Sequence, residues 1–538
     1  METGARQMMR DCASRMLLVL TLGAVGLGAY LRLQQIELQW LTDDEWHAVH
    51  KILSGATYLE IARSVGGADF SIPQTLAYKW LAGHVGIDEL GMRLPMLAGG
   101  ILLVAGAAWW VWRVFGAWAA LYCTTLLAIS PLLIAFSRTA RPYALTVLLA
   151  CVTVLALAEW RRAPRGGLLW LAGLGAFFAC WLHMAVAPFV VVPIAALVVE
   201  NCWQAWRQRR WCLSVPLLAM AAAVAVGVGL AAVLPMLLSR GALASRMGAD
   251  LPTLETYLGV WSIWFGVSSN GLALALLVPA CVGAVECWRR RPDVMVLFGL
   301  GLTCAMVGIY ASRPAWVHNP LTFGRYLLPV LPFLLLWVAL GGLRLGGALG
   351  WPGARLAVLG VLAAVLFVNA PTRDLLMRPN NFTLNYWYQF DYRPEYNPVR
   401  RLFEAFPESP FWRRLGEFEP QSKRIAVAGH GLESYSQLDV RWQPIHRQIV
   451  LNGQRMGLCD PPPYWGEVPE GSGFELRNAV SLASVAAMRA ASLDYVVFKR
   501  NTSGMNVPDI EPCIARFREI HGVPAYEDAF LVAFDMKY

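Results

Sequence analysis

Long apolar runs separated by short polar connections fill the first 370 residues, and that pattern stops there. Eleven runs lie at about 16–31, 95–112, 117–136, 143–159, 167–182, 184–200, 213–238, 270–287, 294–311, 326–343 and 355–370. Each is near the roughly 20 residues that cross a hydrocarbon core, so eleven transmembrane helices are expected. Residues 371–538 contain no such run and are richer in Pro, Asn, Glu and Arg. There RIAVAGHG, RQIVLN, DYVVFKR and AFLVAFDM read as short β-branched or aromatic strands, and SLASVAAMRAAS and PCIARFREI as helices. The fold class expected is a mainly α, polytopic membrane protein with a C-terminal soluble α/β domain. Its two domains are 1–370, including an outer loop at 32–94, and 371–538.

Composition agrees. Hydrophobic residues make up 57% and charged residues 15%, the mean hydropathy is +0.47, and soluble proteins sit nearer one half apolar. A net charge of +9 would suit nucleic acid if it were clustered on a motif, but the basic residues fall in short groups between apolar runs. With the N-terminus inside, Arg113, then Arg161, Arg162 and Arg165, then Arg207, Arg209 and Arg210, then Arg289, Arg290 and Arg291, then Arg344 and Arg355 all lie on cytoplasmic loops. No nucleic-acid partner is expected. The same alternation places 32–94, 137–142, 239–269, 312–325 and everything after about 370 on the outer side of the cytoplasmic membrane. Arg6, Arg10 and Arg15 precede the first run as in a secretion signal, yet no small-residue cleavage site follows, so the run is read as a retained helix. The 11 cysteines form no C-x-x-C pair, which argues against a zinc ribbon or redox motif. Only Cys459 and Cys513 fall in the polar C-terminal part, and whether they pair is open.

Candidate chemistry gathers in the outer segments. In LTDDEWHAVHK, residues 41–51, Thr42 and Glu45 have capping-box spacing, so a helix is expected to open there with Asp43 and Asp44 in its first turn. On that helix Asp43, His47 and His50 share a face and could present a carboxylate and two imidazoles to one ion or hydroxyl. FSRTARPYAL places Arg138, Arg141 and Tyr143 at an outer connection, against the charge bias, and GRYLLPVLP repeats the arrangement with Arg325 and Tyr326. An outer guanidinium either snorkels to headgroups or binds an anion such as a phosphate bidentately. His183 lies between two spans. Trp261, Trp264 and Phe265, after Arg240 and Arg246, suggest an amphipathic segment lying on the membrane. Gly429-His430-Gly431 after the first C-terminal strand is a turn or a substrate loop.

The order of these features resembles the GT-C superfamily of membrane glycosyltransferases, over roughly residues 15–345. It is closest to the bacterial branch similar to protein O-mannosyltransferases and to the enzyme that adds aminoarabinose to lipid A. Asp44-Glu45, Arg93-Leu94-Pro95 and Arg141-Pro142-Tyr143 carry the resemblance most specifically, with the late Arg325-Tyr326. The resemblance implies an essential acid in the first outer loop, a polyprenyl-phosphate sugar donor, and basic residues that hold its phosphate. Carried over, Asp44 is the general base and Glu45 its orienting or helix-stabilising neighbour. Arg141 and Arg325, with Arg138, Tyr143 and Tyr326, are the donor-phosphate set, and His183, Asp43 and His47 contact substrate. Two departures bear on metal. Phe70-Ser71-Ile72-Pro73-Gln74-Thr75 replaces the His-Pro-Pro-Leu-Tyr-Tyr of many relatives, and Thr139 stands where many have glutamate. No cofactor is indicated, and a divalent metal is left open.

The reaction implied is a single inverting displacement, in which the sugar passes from polyprenyl phosphate to an envelope acceptor (glycolipid, polysaccharide or protein) outside the cytoplasmic membrane. The partners are then the lipid-linked donor, the acceptor and membrane lipids. The rival reading is a transporter or flippase of lipid-linked sugars that uses the same arginines without chemistry. The sequence shows no inverted repeat and no acid in mid-span, which ion-coupled transporters usually have.

Overall fold

A computed structural model of the chain describes residues 2–34, 36, 45, 49, 51–52, 55–65, 71–208, 214–239, 248, 251–267, 269–368, 405–428, 442–455, 457–459, 479–502 and 509–536. It divides into two compact units: Met1–Ile36, Leu94–Leu237 and Arg246–Phe390 form one, and Glu37–Arg93, Leu238–Ser245 and Asp391–Tyr538 the other.

Among the described residues, each of the eleven apolar runs falls mainly on helix. The helices of these runs and of their connections are, in chain order, α1 (Glu2–Leu33), α2 (Glu89–Phe115), α3 (Ala117–Ile129), α4 (Pro131–Ser137), α5 (Tyr143–Arg162), α6 (Gly166–Leu182), α7 (Ala187–Arg207), α8 (Val215–Val228), α9 (Leu254–Phe265), α10 (Asn270–Ala275), α11 (Leu277–Arg290), α12 (Pro292–Ser312), α13 (Pro320–Tyr326), α14 (Leu331–Ala348) and α15 (Ala354–Val368). Among the described residues eight stretches are long and apolar enough to cross a membrane, and α3 with α4 makes a ninth, bent by 60°. The remaining two runs are shorter apolar helices, Gly166–Leu182 and Ala354–Phe367. The bend falls where Pro131 follows Ser130. Proline lacks an amide hydrogen and clashes with a preceding helical turn, but it suits the first position of a new helix.

Backbone contact holds α11 to α14. A Cβ added at Gly283 would fall on the Trp337 carbonyl oxygen, and one at Gly341 on that of Pro279. Close approach through small residues is the usual way apolar helices associate in lipid, where burial of apolar surface provides no net drive. One charge cluster ties the opposite end of α5 from Tyr143. Arg291 donates to Glu159 at 2.6 Å and to Asp293 at 2.8 Å, and Trp110 donates to Glu159 at 3.1 Å. Arg291 is thus a buried, paired residue rather than only a topology signal. The segment with Trp261, Trp264 and Phe265 also departs from expectation. It is helix α9, but Trp264 and Phe265 are buried, and Trp264 Nε1 donates to the Gly324 carbonyl at 3.3 Å, so α9 packs on α13. Arg240 and Arg246 lie outside the described residues.

The second unit contains a six-stranded sheet of order β3-β2-β1-β4-β6-β5. The strands are β1 (Arg424–Ala428), β2 (Ile449–Gln454), β3 (Ala479–Ser481), β4 (Tyr495–Lys499), β5 (Tyr526–Glu527) and β6 (Leu531–Asp535). All four strand segments and both helices read from the sequence are present, the helices as Val485–Ala490 and Glu511–His521. Strands β3, β2, β1 and β4 are parallel, with Ala426 opposite Leu451 and Val496, and β6 runs antiparallel to β4. Successive residues of β1 and β4 are buried, as expected of strands covered on both faces. Ala426, Leu451, Val496, Phe498, Phe517 and Phe534 share one core. Cys459 and Cys513 are joined by a disulfide across 54 residues of sequence.

Residues of the 37–93 stretch pack on C-terminal residues within this unit. Gln443 Oε1 accepts from the Ile87 amide at 2.6 Å while its Nε2 donates to the Ala82 carbonyl at 3.1 Å. Lys79 Nζ donates to Gln421 Oε1 at 3.1 Å. Gly86 has φ of +96°, and a Cβ there would strike Pro444, so the chain passes Pro444 at backbone distance only because this residue is glycine.

Candidate functional site

The turn between α4 and α5 is wound tightly. The Arg141 amide donates to the Thr139 carbonyl at 2.7 Å and the Tyr143 amide to the Arg141 carbonyl at 2.8 Å, two consecutive three-residue turns that leave Tyr143 to open α5. Thr139 carries no carboxylate, and its hydroxyl is turned back onto the Ala135 carbonyl at 2.8 Å.

Three connections far apart in sequence meet here. Tyr143 lies 5.2 Å from His183, centroid to centroid, and 4.7 Å from Phe136. His183, between α6 and α7, lies 6.2 Å from Tyr326 at the end of α13, and the Arg325 guanidinium is 6.0 Å from the Tyr326 ring. Arg141 is buried. The His183 imidazole is held down to about 3 by burial and then by the positive charges of Arg141 and Arg325. It is therefore neutral at physiological pH, with one N–H donor and one lone pair. Two guanidiniums, two phenols and a neutral imidazole make a donor-rich, cationic set suited to an anion with several oxygens.

Arg138, expected in the same set, is placed differently. It is fully buried, and its Nη1 donates to the carbonyls of Leu31, Arg32 and Gln34 at 3.3, 3.1 and 2.7 Å. These carbonyls close the C-terminal end of α1, so Arg138 acts as a cap on orphan helix carbonyls.

In the other unit, Glu45 is held by Arg93. Nε donates to Oε1 and Nη2 to Oε2, both at 3.0 Å, and both side chains are fully buried. The Glu45 carboxylate is thus taken up by a two-pronged buried ion pair, a stronger constraint than the helix cap expected from its spacing to Thr42. Thr42, Asp43, Asp44, His47 and His50 lie outside the described residues, as do Gly429, His430 and Gly431. Among the described residues no group of three or more His, Cys, Asp or Glu is arranged to hold a metal ion. Arg93 and Arg32 are the residues whose roles sequence reading missed. The available signal was an arginine at the edge of an apolar run, where a charge needs a partner.

The spans, the bent pair and the C-terminal α/β unit make up a fold that is shared with solved structures. Among solved structures the chain is similar to ArnT from Cupriavidus metallidurans bound to undecaprenyl phosphate, at 12% identity and a TM-score of 0.50, covering 97% of this chain and 98% of that one. The Archaeoglobus fulgidus oligosaccharyltransferase tethered to an acceptor peptide matches at 12% identity and a TM-score of 0.46, over 90% of this chain and 69% of that one. No family model and no curated protein matches the sequence.

Proposed function

We propose that this protein is an inverting glycosyltransferase that moves a sugar from a polyprenyl-phosphate donor to an envelope acceptor outside the cytoplasmic membrane. The observation that carries the reading is the convergence of Arg141, Arg325, Tyr143 and Tyr326 on His183. The similarity in fold to a protein crystallised with undecaprenyl phosphate supports it.

In this reading the acceptor hydroxyl or amine attacks the anomeric carbon, its proton passes to the Asp44 carboxylate, and the bond from that carbon to the phosphate oxygen breaks with inversion. The phosphate leaves with an added negative charge, which Arg141 and Arg325 stabilise in a site of low dielectric. Neutral His183 adds a hydrogen bond without competing for the anion. Arg138 and Glu45 serve as clamps. Asp43 and His47 remain proposed as acceptor contacts.

The test is Arg141→Lys and Arg325→Lys. Lysine keeps the charge but presents a single point donor in place of a planar fork. Each change should cost about 1.5 to 3 kcal/mol, or roughly ten- to a hundredfold in transfer efficiency, with insertion unchanged. Snorkelling arginines would tolerate lysine, so wild-type turnover in both variants removes the phosphate role.

Orientation follows from the charge bias and is supported by the Cys459–Cys513 disulfide, since such bonds persist in oxidising compartments. A reporter fused after Tyr538 should be exported, while one inserted in the 201–211 loop should stay in the cytoplasm. An internal C-terminus would contradict every outer assignment.

A further inference from the structure

The end of α1 and the bent pair hold each other through two arginines. Arg32, in the last turn of α1, is fully buried. Its Nη1 donates to the Gly28 and Ala128 carbonyls at 2.8 and 3.3 Å, its Nη2 to the Leu127 carbonyl at 3.3 Å, and its Nε to Ser137 Oγ at 3.2 Å. Leu127 and Ala128 belong to the last turn of α3, whose carbonyls lose their helical donors at the break before Pro131. Arg32 replaces those donors. Arg138 returns the arrangement by donating to carbonyls of Leu31, Arg32 and Gln34. Arg138 caps the end of α1 from which Arg32 projects, and Arg32 caps the end of α3 at the break, one short helix before Arg138. Ser137 joins the two, since its hydroxyl accepts from Arg32 and donates to the Leu133 carbonyl at 2.6 Å.

Packing leaves this clamp no slack on the side of α2. A Cβ at Gly100 would overlap Ser137 Oγ and lie 3.0 Å from Arg32 Nε. The clamp ends three residues before Arg141 and five before Tyr143, and the intervening turn is buried and wound by its own hydrogen bonds. A shift of Ser137 or Arg138 therefore passes to Arg141 along a short, stiff path.

We propose that Arg32 and Arg138 are positioning residues, which together fix the turn that carries Arg141 and Tyr143 and so set the preference of the site for a phosphate headgroup. This rests on the donor-phosphate reading given above. Neither guanidinium contacts the ligand. Each acts through the backbone it holds.

The experiment measures the affinities of the full-length protein, in phosphatidylcholine nanodiscs, for undecaprenyl phosphate and for undecaprenol, which lacks the phosphate. Their ratio reports on the headgroup site alone, and loss of folded protein does not change it. Arg32→Lys, which cannot span three carbonyls and a hydroxyl, should lower the ratio roughly tenfold. Ser137→Ala and Gly100→Ala should lower it too. Gly100→Ala alters no polar group, so a fall in that variant reports displacement of the turn rather than loss of a hydrogen bond. Arg141→Lys is measured alongside. An unchanged ratio in the clamp variants, with a fall in Arg141→Lys, overturns the positioning role. An unchanged ratio in Arg141→Lys as well overturns the donor-phosphate reading beneath it.

Discussion

Glu45→Gln is expected to destabilise the protein by about 3 to 5 kcal/mol, the usual cost of removing one partner from a buried ion pair. Both oxygens of Glu45 accept from Arg93, and neither side chain is exposed to solvent. Glutamine offers one acceptor oxygen and turns an N–H₂ group toward a second guanidinium nitrogen, so one donor is stranded and the positive charge is left uncompensated. A glutamine that merely closed a capping box would be almost silent, as the spacing of Thr42 and Glu45 suggests. Denaturant or thermal unfolding of the purified protein separates the two roles. Pairing Glu45→Gln with Arg93→Met should recover part of the loss, because the stranded charge then disappears. Wild-type stability in Glu45→Gln would show that the pair does not support the fold.

The second large effect is on rate, not on folding. Asp44→Asn should lower transfer by roughly 10² to 10⁴, the usual contribution of a general base, equivalent to about 3 to 5 kcal/mol in the barrier. The amide keeps the shape of the carboxylate but cannot accept the acceptor's proton. Because Glu45, the next residue, is anchored by Arg93, the unfolding temperature and the affinity for undecaprenyl phosphate should both stay near wild type. Adjacent substitutions are thus expected to fail in opposite ways: Glu45→Gln in stability, Asp44→Asn in turnover. Transfer within a few-fold of wild type in Asp44→Asn would move the base to Asp43 or abolish the role.

Much of the site was legible in the sequence as a set of residues and little of it as an arrangement. Arg141, Tyr143, His183, Arg325 and Tyr326 stand out because polar groups at the ends of apolar runs are few, and the structure brings these five together. Arg138, three positions from Arg141, looked equivalent to it. The two part because the turn after α4 directs Arg138 to the end of α1, and no feature of FSRTARPYAL encodes where α1 lies. The same limit applied to Glu45, whose partner is 48 residues away, and to Trp264 and Phe265, whose aromatic character fits an interfacial belt and a buried contact equally well.

By itself the sequence determined that the chain has apolar helices over its first 370 residues and an α/β unit after them. These features depend on runs and periods within one segment, where hydrophobicity and side-chain alternation act locally. Only the tertiary structure decided what each arginine does. A guanidinium in an apolar interior must find carbonyls, a carboxylate or an anionic ligand, and for each of these arginines whose partners are given at least one partner comes from a segment tens to hundreds of residues away. Arg32 and Arg138 found helix carbonyls, Arg93 and Arg291 found carboxylates, and Arg141 and Arg325 came to lie around one histidine. All six are arginines at the edge of an apolar run; the long-range packing of the helices assigned the difference.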